Sequence, residues 1–405
     1  MRRRSRQFSL AAALGIGVIL LVVGIGGGYV LGSYLSKTST STVDITETGS
    51  TLMEPLMDIW GPNYTSHVDS HVIISPSGGG SGQGQSESEA GTIDIGASDA
   101  YTANNLGVVD VPVAISSQLV MYNIPSLKGV HLNLNGSILA LIYNGTITNW
   151  DNKLIAGANP GVSLPDETIV PVVRGDSSGD TYIFSVYCDM SDKYWPYGNS
   201  TKAFQTLAPA DGFASGTGNA GVITKLEALN YSIGYVGISY KTSALASGQL
   251  NYAALGDNLA STAAGGNVTA TPADQKNYIL WSAQNVSYDA NLGLNELNYS
   301  AHGLAVSLIL GGSTSGPTVW AAGAGGTDPT VTNPTPYPIT NLEYTLVKTA
   351  PSSPSHQAYV VQFLQWAISY GNNVTLYLGQ VNFVPLTSEL AGLDQQALSE
   401  VQVHS

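Results

Sequence analysis

Residues 169–182 read IVPVVRGDSSGDTY. IVPVVR is an apolar run of strand character, and GDSSGD is dense in the residues that make tight turns. Beyond it, Ile183, Phe184 and Tyr187 fall on one helical face. The stretch predicts a strand, a short turn and a helix, the repeating unit of an α/β fold. Three readings of the turn stay open at this point. Gly175, Ser177 and Gly179 match G-x-S-x-G, the nucleophile elbow of serine hydrolases. Alternatively, Arg174, the hydroxyls of Ser177 and Ser178 and the N–H groups at the helix start form an anion site. The third reading is plain helix capping by Asp and Ser.

The same grammar runs along the chain from residue 43. VDITETGS (43–50) reads as a strand and TLMEPLMDIW (51–60) as a helix, with a capping-box pattern at Thr51 and Glu54. HVIISPS (71–77) is a strand, GGGSGQGQ (78–85) a glycine-rich turn, SESEAG (86–91) a helix end and TIDIGASDA (92–100) a strand entering a polar turn. Residues 108–122 form an extended segment suited to crossing between domains. LNGSILALIYNGTITNW (134–150) is an amphipathic helix, IGYVGISY (233–240) a strand with its turn, and TNLEYTLVK (340–348) a strand. HQAYVVQFLQWAISYG (356–371) is an amphipathic helix with Val360, Phe363, Leu364 and Ala367 on one side.

This alternation predicts an open, mostly parallel sheet, and its length suits two α/β lobes with a ligand cleft and a hinge between them. Residues 44–115 with 340–405 make the first lobe and 116–339 the second. Ahead of them, MRRRSR is followed by an uncharged stretch over residues 8–35, longer than the roughly 20 residues a bilayer span needs. Residues 1–35 are therefore expected to form a membrane anchor with the lobes outside, a cleaved signal peptide being the alternative. A Ser/Thr-rich tether covers residues 36–43. Nine N-x-S/T sequons, at Asn63, Asn135, Asn144, Asn199, Asn230, Asn267, Asn285, Asn298 and Asn373, fit an extracytoplasmic glycoprotein.

Composition narrows the chemistry. Only 10% of residues are charged, and 28 acidic against 14 basic side chains give a net charge of -14, which argues against a nucleic-acid partner. The acidity does not oppose a small anion, because local N–H dipoles and one arginine decide such binding. The single cysteine, Cys188, excludes an internal disulfide framework and a cysteine-rich metal site. His67 and His71 have i, i+4 spacing, but HVDSHVII reads as a turn entering a strand, so no metal is expected there. The six tryptophans suit packing better than a sugar platform.

Three strand-to-helix turns carry one chemistry: GST at 49–51, GGGSG at 78–82 and RGDSSGD at 174–180; GASD at 96–99 adds a carboxylate. Helix N-termini carry about half a positive charge and unpaired N–H donors, so three of them meeting at a cleft make an anion site. GGGSGQG has no lysine and is not a P-loop.

In this order the motifs resemble the phosphate-binding subunit of phosphate ABC transporters, a type II periplasmic-binding-protein fold. The resemblance extends over residues 44–400 through GSTLMEPLMDIWGP, GGGSG, GTIDIGASDAY, NGSILALIYNGTITNWD, NPGVSLP, VVRGDSSGDT, IGYVGIS and YPITNLEY. It implies a non-enzymatic binder of inorganic phosphate that needs no cofactor and delivers its ligand to membrane permease subunits. Residue by residue, it implies that Thr51 gives its hydroxyl and Leu52 its N–H to phosphate, and that Ser81 gives hydroxyl and N–H. Asp99 accepts from a protonated phosphate oxygen. Arg174 forks onto the anion, oriented by Asp176. Ser178 and Gly179 donate from the helix start, and Asp180 becomes a second acceptor for a phosphate proton.

Two other classes stand beside this one. A hydrolase would use Ser177 with a downstream acid and one of His302, His356 or His404, none of which sits in a recognisable loop motif. A surface adhesion protein would also suit the anchor, the tether and the sequons.

Overall fold

The computed structural model describes residues 42–102, 107–191, 195–205, 212–256, 267–268, 339–386, 394, 397–399 and 401. The expected anchor at 1–35 and tether up to residue 41, with His302 and His404, lie outside the described residues. Among the described residues, no helix is long and apolar enough to cross a membrane.

The strands are β1 (Val43–Gly49), β2 (Val72–Ser75), β3 (Ile95–Ser98), β4 (Val108–Asn123), β5 (Asn133–Asn135), β6 (Val170–Arg174), β7 (Ala214–Gly216), β8 (Ser232–Gly237), β9 (Asn251–Tyr252), β10 (Ala254–Gly256), β11 (Asn267–Val268) and β12 (Thr340–Lys348). The main helices are α1 (Glu54–His67), α2 (Ser81–Ala90), α3 (Gly136–Tyr143), α4 (Lys153–Ala158), α5 (Gly179–Ser191), α6 (Gly218–Ala228), α7 (Lys241–Leu245) and α8 (Pro354–Ile368). The described strands form one sheet in the order β2-β1-β3-β12-β4-β8-β6-β7, with β9 also on β4, and a smaller sheet β11-β10-β5.

The sheet is mixed rather than mostly parallel. β1 and β3 are parallel on one side, as are β6, β7 and β8 on the other. Between them β12 runs antiparallel to both β3 and β4, and β4 antiparallel to β8. The centre is antiparallel because β4 serves both lobes. Its residues 108–117 pair with β12, and its residues 118–123 pair with β8. This fully buried 16-residue strand is the join between the two lobes. Gln118 N donates to Ile339 O at 3.1 Å, so the ladder continues through the hand-over.

Each lobe has its own core. Trp60, Tyr64, Phe363 and Trp366 meet edge-on or stacked in the first, with Tyr64 and Phe363 centroids 5.3 Å apart. In the second, Phe184 stacks on Tyr235 at 4.6 Å beside Tyr143 and Phe204. Burying one such ring is worth about 1.5–3 kcal/mol. Cys188 is buried in the second core.

Local starts and stops differ from expectation in three places. The Thr51–Glu54 capping box does not form. Ser50 Oγ accepts instead from Leu52 N and Met53 N, both at 3.1 Å, while Glu54 Oε1 accepts from Gly78 N at 3.1 Å. Most of the expected glycine turn at 78–85 is the start of α2. That helix has few apolar residues; its buried Ser81, Gly84 and Ser88 let its backbone lie directly on β3, where a Cβ on Gly84 would meet Ala97 O at 2.5 Å. Helix α3 covers only the first half of 134–150, because the Asn144–Gly145 turn, with Gly145 at φ 78°, ends it.

Candidate functional site

The three strand-to-helix turns converge on one buried cluster. The first lobe supplies the β1–α1 turn with Thr51 and Leu52, Ser81 at the start of α2, and Asp99 immediately after β3. The second supplies Arg174 at the end of β6 and Ser178, Gly179 and Asp180 at the start of α5. Arg174, Asp99, Ser81, Ser178 and Asp180 are each at most 1% exposed, so charges here are worth more than at the surface.

Arg174 is held by two carboxylates. Nε donates to Asp176 Oδ1 at 2.8 Å, Nη2 donates to Asp176 Oδ2, and Nη1 donates to Asp180 Oδ2 at 2.6 Å. A guanidinium has five N–H groups, so one on each terminal nitrogen remains for an anion. Burial opposes charge on Asp176, yet the Arg174 hydrogen bond and charge hold its carboxyl below the usual value. Gly218 N also donates to Asp176 Oδ1 at 3.0 Å. Burial and the Asp99 charge push Asp180 up to about 6, against Arg174, Gln118 and Asn219. Gln118 Nε2 donates to Asp180 Oδ1 at 3.0 Å and Asn219 Nδ2 to Asp180 Oδ2 at 2.8 Å.

Asp99 faces this arrangement from the other lobe. Ser50 Oγ donates to its Oδ1, and Ser81 Oγ donates to its Oδ2 at 3.2 Å. The carboxylate sits over the start of α5 so closely that a Cβ on Gly179 would lie 2.6 Å from Asp99 Oδ2 and from Ser81 Oγ. A helix start leaves its first N–H groups without intrahelical acceptors; here Ser178 N donates to Thr201 O at 2.8 Å and Tyr182 N to Ser178 O at 3.2 Å, so the backbone donors at this helix start are Gly179 N and Asp180 N. Ser178 is also a helix cap, its Oγ accepting from Thr181 N at 3.3 Å. Thr51 Oγ1 accepts from Asn219 N at 3.2 Å and from Asn219 Nδ2 at 3.1 Å, which leaves its proton to donate. Leu52 N is engaged by Ser50 Oγ.

The lobes touch around this cluster. Gly82 N donates to Ser177 O at 2.9 Å, and Ser239 Oγ donates to Leu52 O at 2.7 Å. Gly80, at φ 87°, has no room for a side chain because a Cβ would lie 2.5 Å from Asp176 Oδ2. A cavity of about 230 Å³ opens beside Thr51, Glu54, Asp176 and Asn219.

A family model described as the PBP superfamily domain matches residues 36–370. The chain belongs to the PBP superfamily. Among PBP relatives, the phosphate-binding protein PstS of Pasteurella multocida is 27% identical over 360 residues, covering 87% of this chain and 89% of that protein. Phosphate-binding protein PstS of Xylella fastidiosa is 31% identical over 212 residues, 51% of this chain; this chain spans 56% of that relative's length. The fold is shared with a human phosphate binding apolipoprotein, at a TM-score of 0.61 and 17% identity over 87% of this chain and 94% of that one. It is shared too with a high affinity periplasmic phosphate-binding protein (PfluDING) bound with phosphate, at a TM-score of 0.58 and 18% identity over 87% and 93%.

Within this PBP chain, the nucleophile elbow lacks its partners among the described residues. Ser177 Oγ donates to Thr201 Oγ1 at 2.8 Å, and His356 pairs with Asp94 at 3.0 Å. No group of three or more metal-binding side chains occurs among the described residues.

Sequence reasoning missed Ser50, Gln118, Asn219 and Glu343. No motif marked Asn219. Glu343 carried a signal: it stands between Leu342 and Tyr344 in the apolar strand β12, where a charged residue needs a reason.

Proposed function

We propose that this chain binds inorganic phosphate between its two lobes and delivers it to the permease subunits of an ABC importer. One observation carries the reading: a buried carboxylate, Asp99, is set against the start of α5 and the Arg174 cluster. A carboxylate opposite an anion is repulsive unless the ligand brings a proton, since an ionised aspartate only accepts. Near neutral pH phosphate carries one or two protons and sulfate carries none, so Asp99 favours phosphate and rejects sulfate. The PstS relatives are called phosphate-binding proteins, which supports the same ligand. The arginine-rich N-terminus and the apolar stretch after it support a membrane-anchored chain with its lobes outside the cell.

Calorimetric titration of residues 40–405 with phosphate and with sulfate tests the reading. Saturable 1:1 phosphate binding, with sulfate at least a hundredfold weaker, is expected. Equal affinities, or no phosphate binding, would reject it.

A further inference from the structure

Glu343 lies in the site's back wall. In the antiparallel β12·β3 ladder Tyr344 opposes Ser98, the last residue of β3, and just beyond that pair the Glu343 and Asp99 side chains lie within hydrogen-bonding reach of each other. Glu343 is fully buried. Its Oε1 accepts from Ser116 Oγ on β4 at 2.5 Å, while its Oε2 is buried with no hydrogen-bond donor facing it.

The groups facing Glu343 decide its charge. Asp99 follows β3, Asp180 lies on α5, Ser116 lies on β4 and the Tyr344 phenol is the next residue on β12. Arg174, the cation of the site, is already bonded to Asp176 and Asp180. Asp99 has two hydroxyl donors, from Ser50 and Ser81, and Glu343 has one. Donors stabilise the charged form, so of two opposed carboxyls the better-served one keeps the charge and the other keeps the proton.

We propose that Glu343 is held as a neutral acid whose Oε2–H donates to Asp99, making it a positioning residue that keeps Asp99 ionised, aimed and acceptor-only. The proposal rests on the phosphate reading of the site. It gives the otherwise unpaired Oε2 a partner. It also leaves Asp99 with three fixed donors and one lone pair, which is the one turned to the ligand's hydroxyl. Burial, and next the Asp99 charge, push the Glu343 carboxyl well above its ordinary range, in the same direction.

The test has two arms. In ligand-free protein carrying ¹³C-labelled glutamate, infrared difference spectra between wild type and Glu343→Gln at neutral pH should show the loss of one protonated-carboxyl C=O band. No such loss means Glu343 is ionised and overturns the proposal. In the binding arm, Glu343→Met should weaken phosphate binding at least tenfold. Glu343→Gln, whose amide can still donate to Asp99, should recover most of that loss. Wild-type affinity should also decline at alkaline pH as Glu343 ionises beside Asp99, and the glutamine variant should not share that decline. Wild-type affinity in the folded methionine variant, or an identical alkaline decline in the glutamine variant, overturns the proposal. A wild-type protein that takes up no phosphate rejects the functional reading, while the infrared arm still locates the proton.

Discussion

Arg174 Nη1 lies 2.6 Å from Asp180 Oδ2, and that carboxylate also accepts from Gln118 and Asn219. Asp180 is thus a support for the arginine, with Asp176 holding the other edge of the guanidinium. Under the proposed function the reading of a ligand proton is assigned first to Asp99, which makes no bond to the arginine, while Asp180 keeps one acceptor site on Oδ1. Asp99→Asn is therefore expected to raise sulfate affinity by itself, by the roughly 1–3 kcal/mol that an unpaired buried acceptor costs. Asp180→Asn should instead weaken phosphate and sulfate together. Competition titrations at fixed pH and salt separate the two; an Asp99→Asn protein that still rejects sulfate like wild type would refute the assignment.

Arg174→Ala should cost about 2–5 kcal/mol of phosphate binding, the usual loss when one partner of a buried charged hydrogen bond is removed. Arg174→Lys should recover little, because an ammonium cannot span Asp176 and Asp180 and still present two donors. Isothermal titration checks both, and affinity within threefold of wild type in the alanine variant would misplace the site.

Gly179→Ala places a methyl 2.6 Å from Asp99 Cβ and Ser81 Oγ, so the lobes cannot meet as they do here. Phosphate affinity should fall by more than tenfold, while the far-ultraviolet circular dichroism stays that of wild type. A fully competent alanine variant would show that the approach of Asp99 to α5 is not needed for binding.

Glu47 on β1 is buried, and burial, opposed only in part by the backbone of Ser77, pushes its carboxyl from 4.5 up to about 8. The folded protein then holds a proton that the unfolded chain has released between those two values. Its contribution to stability is complete below pH 4.5 and is lost as pH rises to about 8. Glu47→Gln should flatten this slope, raising Tm at pH 8 and changing it little at pH 5. Parallel melting curves across that window would expose an error if the two proteins lose stability equally.

The α/β repeat and the three converging strand-to-helix turns were legible because each depends on local chemistry: a strand, small turn residues, a helix start. Arg174, Asp176 and Ser178 sit in one such stretch and could be read together. The mixed sheet was not legible, because strand direction in the centre depends on how residues 108–117 and 340–348 pair across more than 200 positions of chain. The start of α2 was obscured for a related reason. Its glycines and serines look like a loop until β3 lies against them, and only that contact makes smallness an advantage. Glu343 and Asn219 reach the site through tertiary pairing, so no nearby residue announced them.

The hand-over on β4 falls between Ser117 and Gln118, and the Gln118 side chain bonds both the backbone and the carboxylate of Asp180. If the two lobes swing about this hand-over, as the proposed function requires, the anchor of the arginine is fastened next to the pivot. Groups near a pivot travel through short arcs when the two bodies swing, while distant rims travel far. A ligand gripped there would work against a short lever, and a small displacement at the anion would be magnified into a wide movement at the outer edges. Spectroscopic labels on the exposed outer positions of α2 and α6 should report occupancy far more strongly than labels beside Gln118.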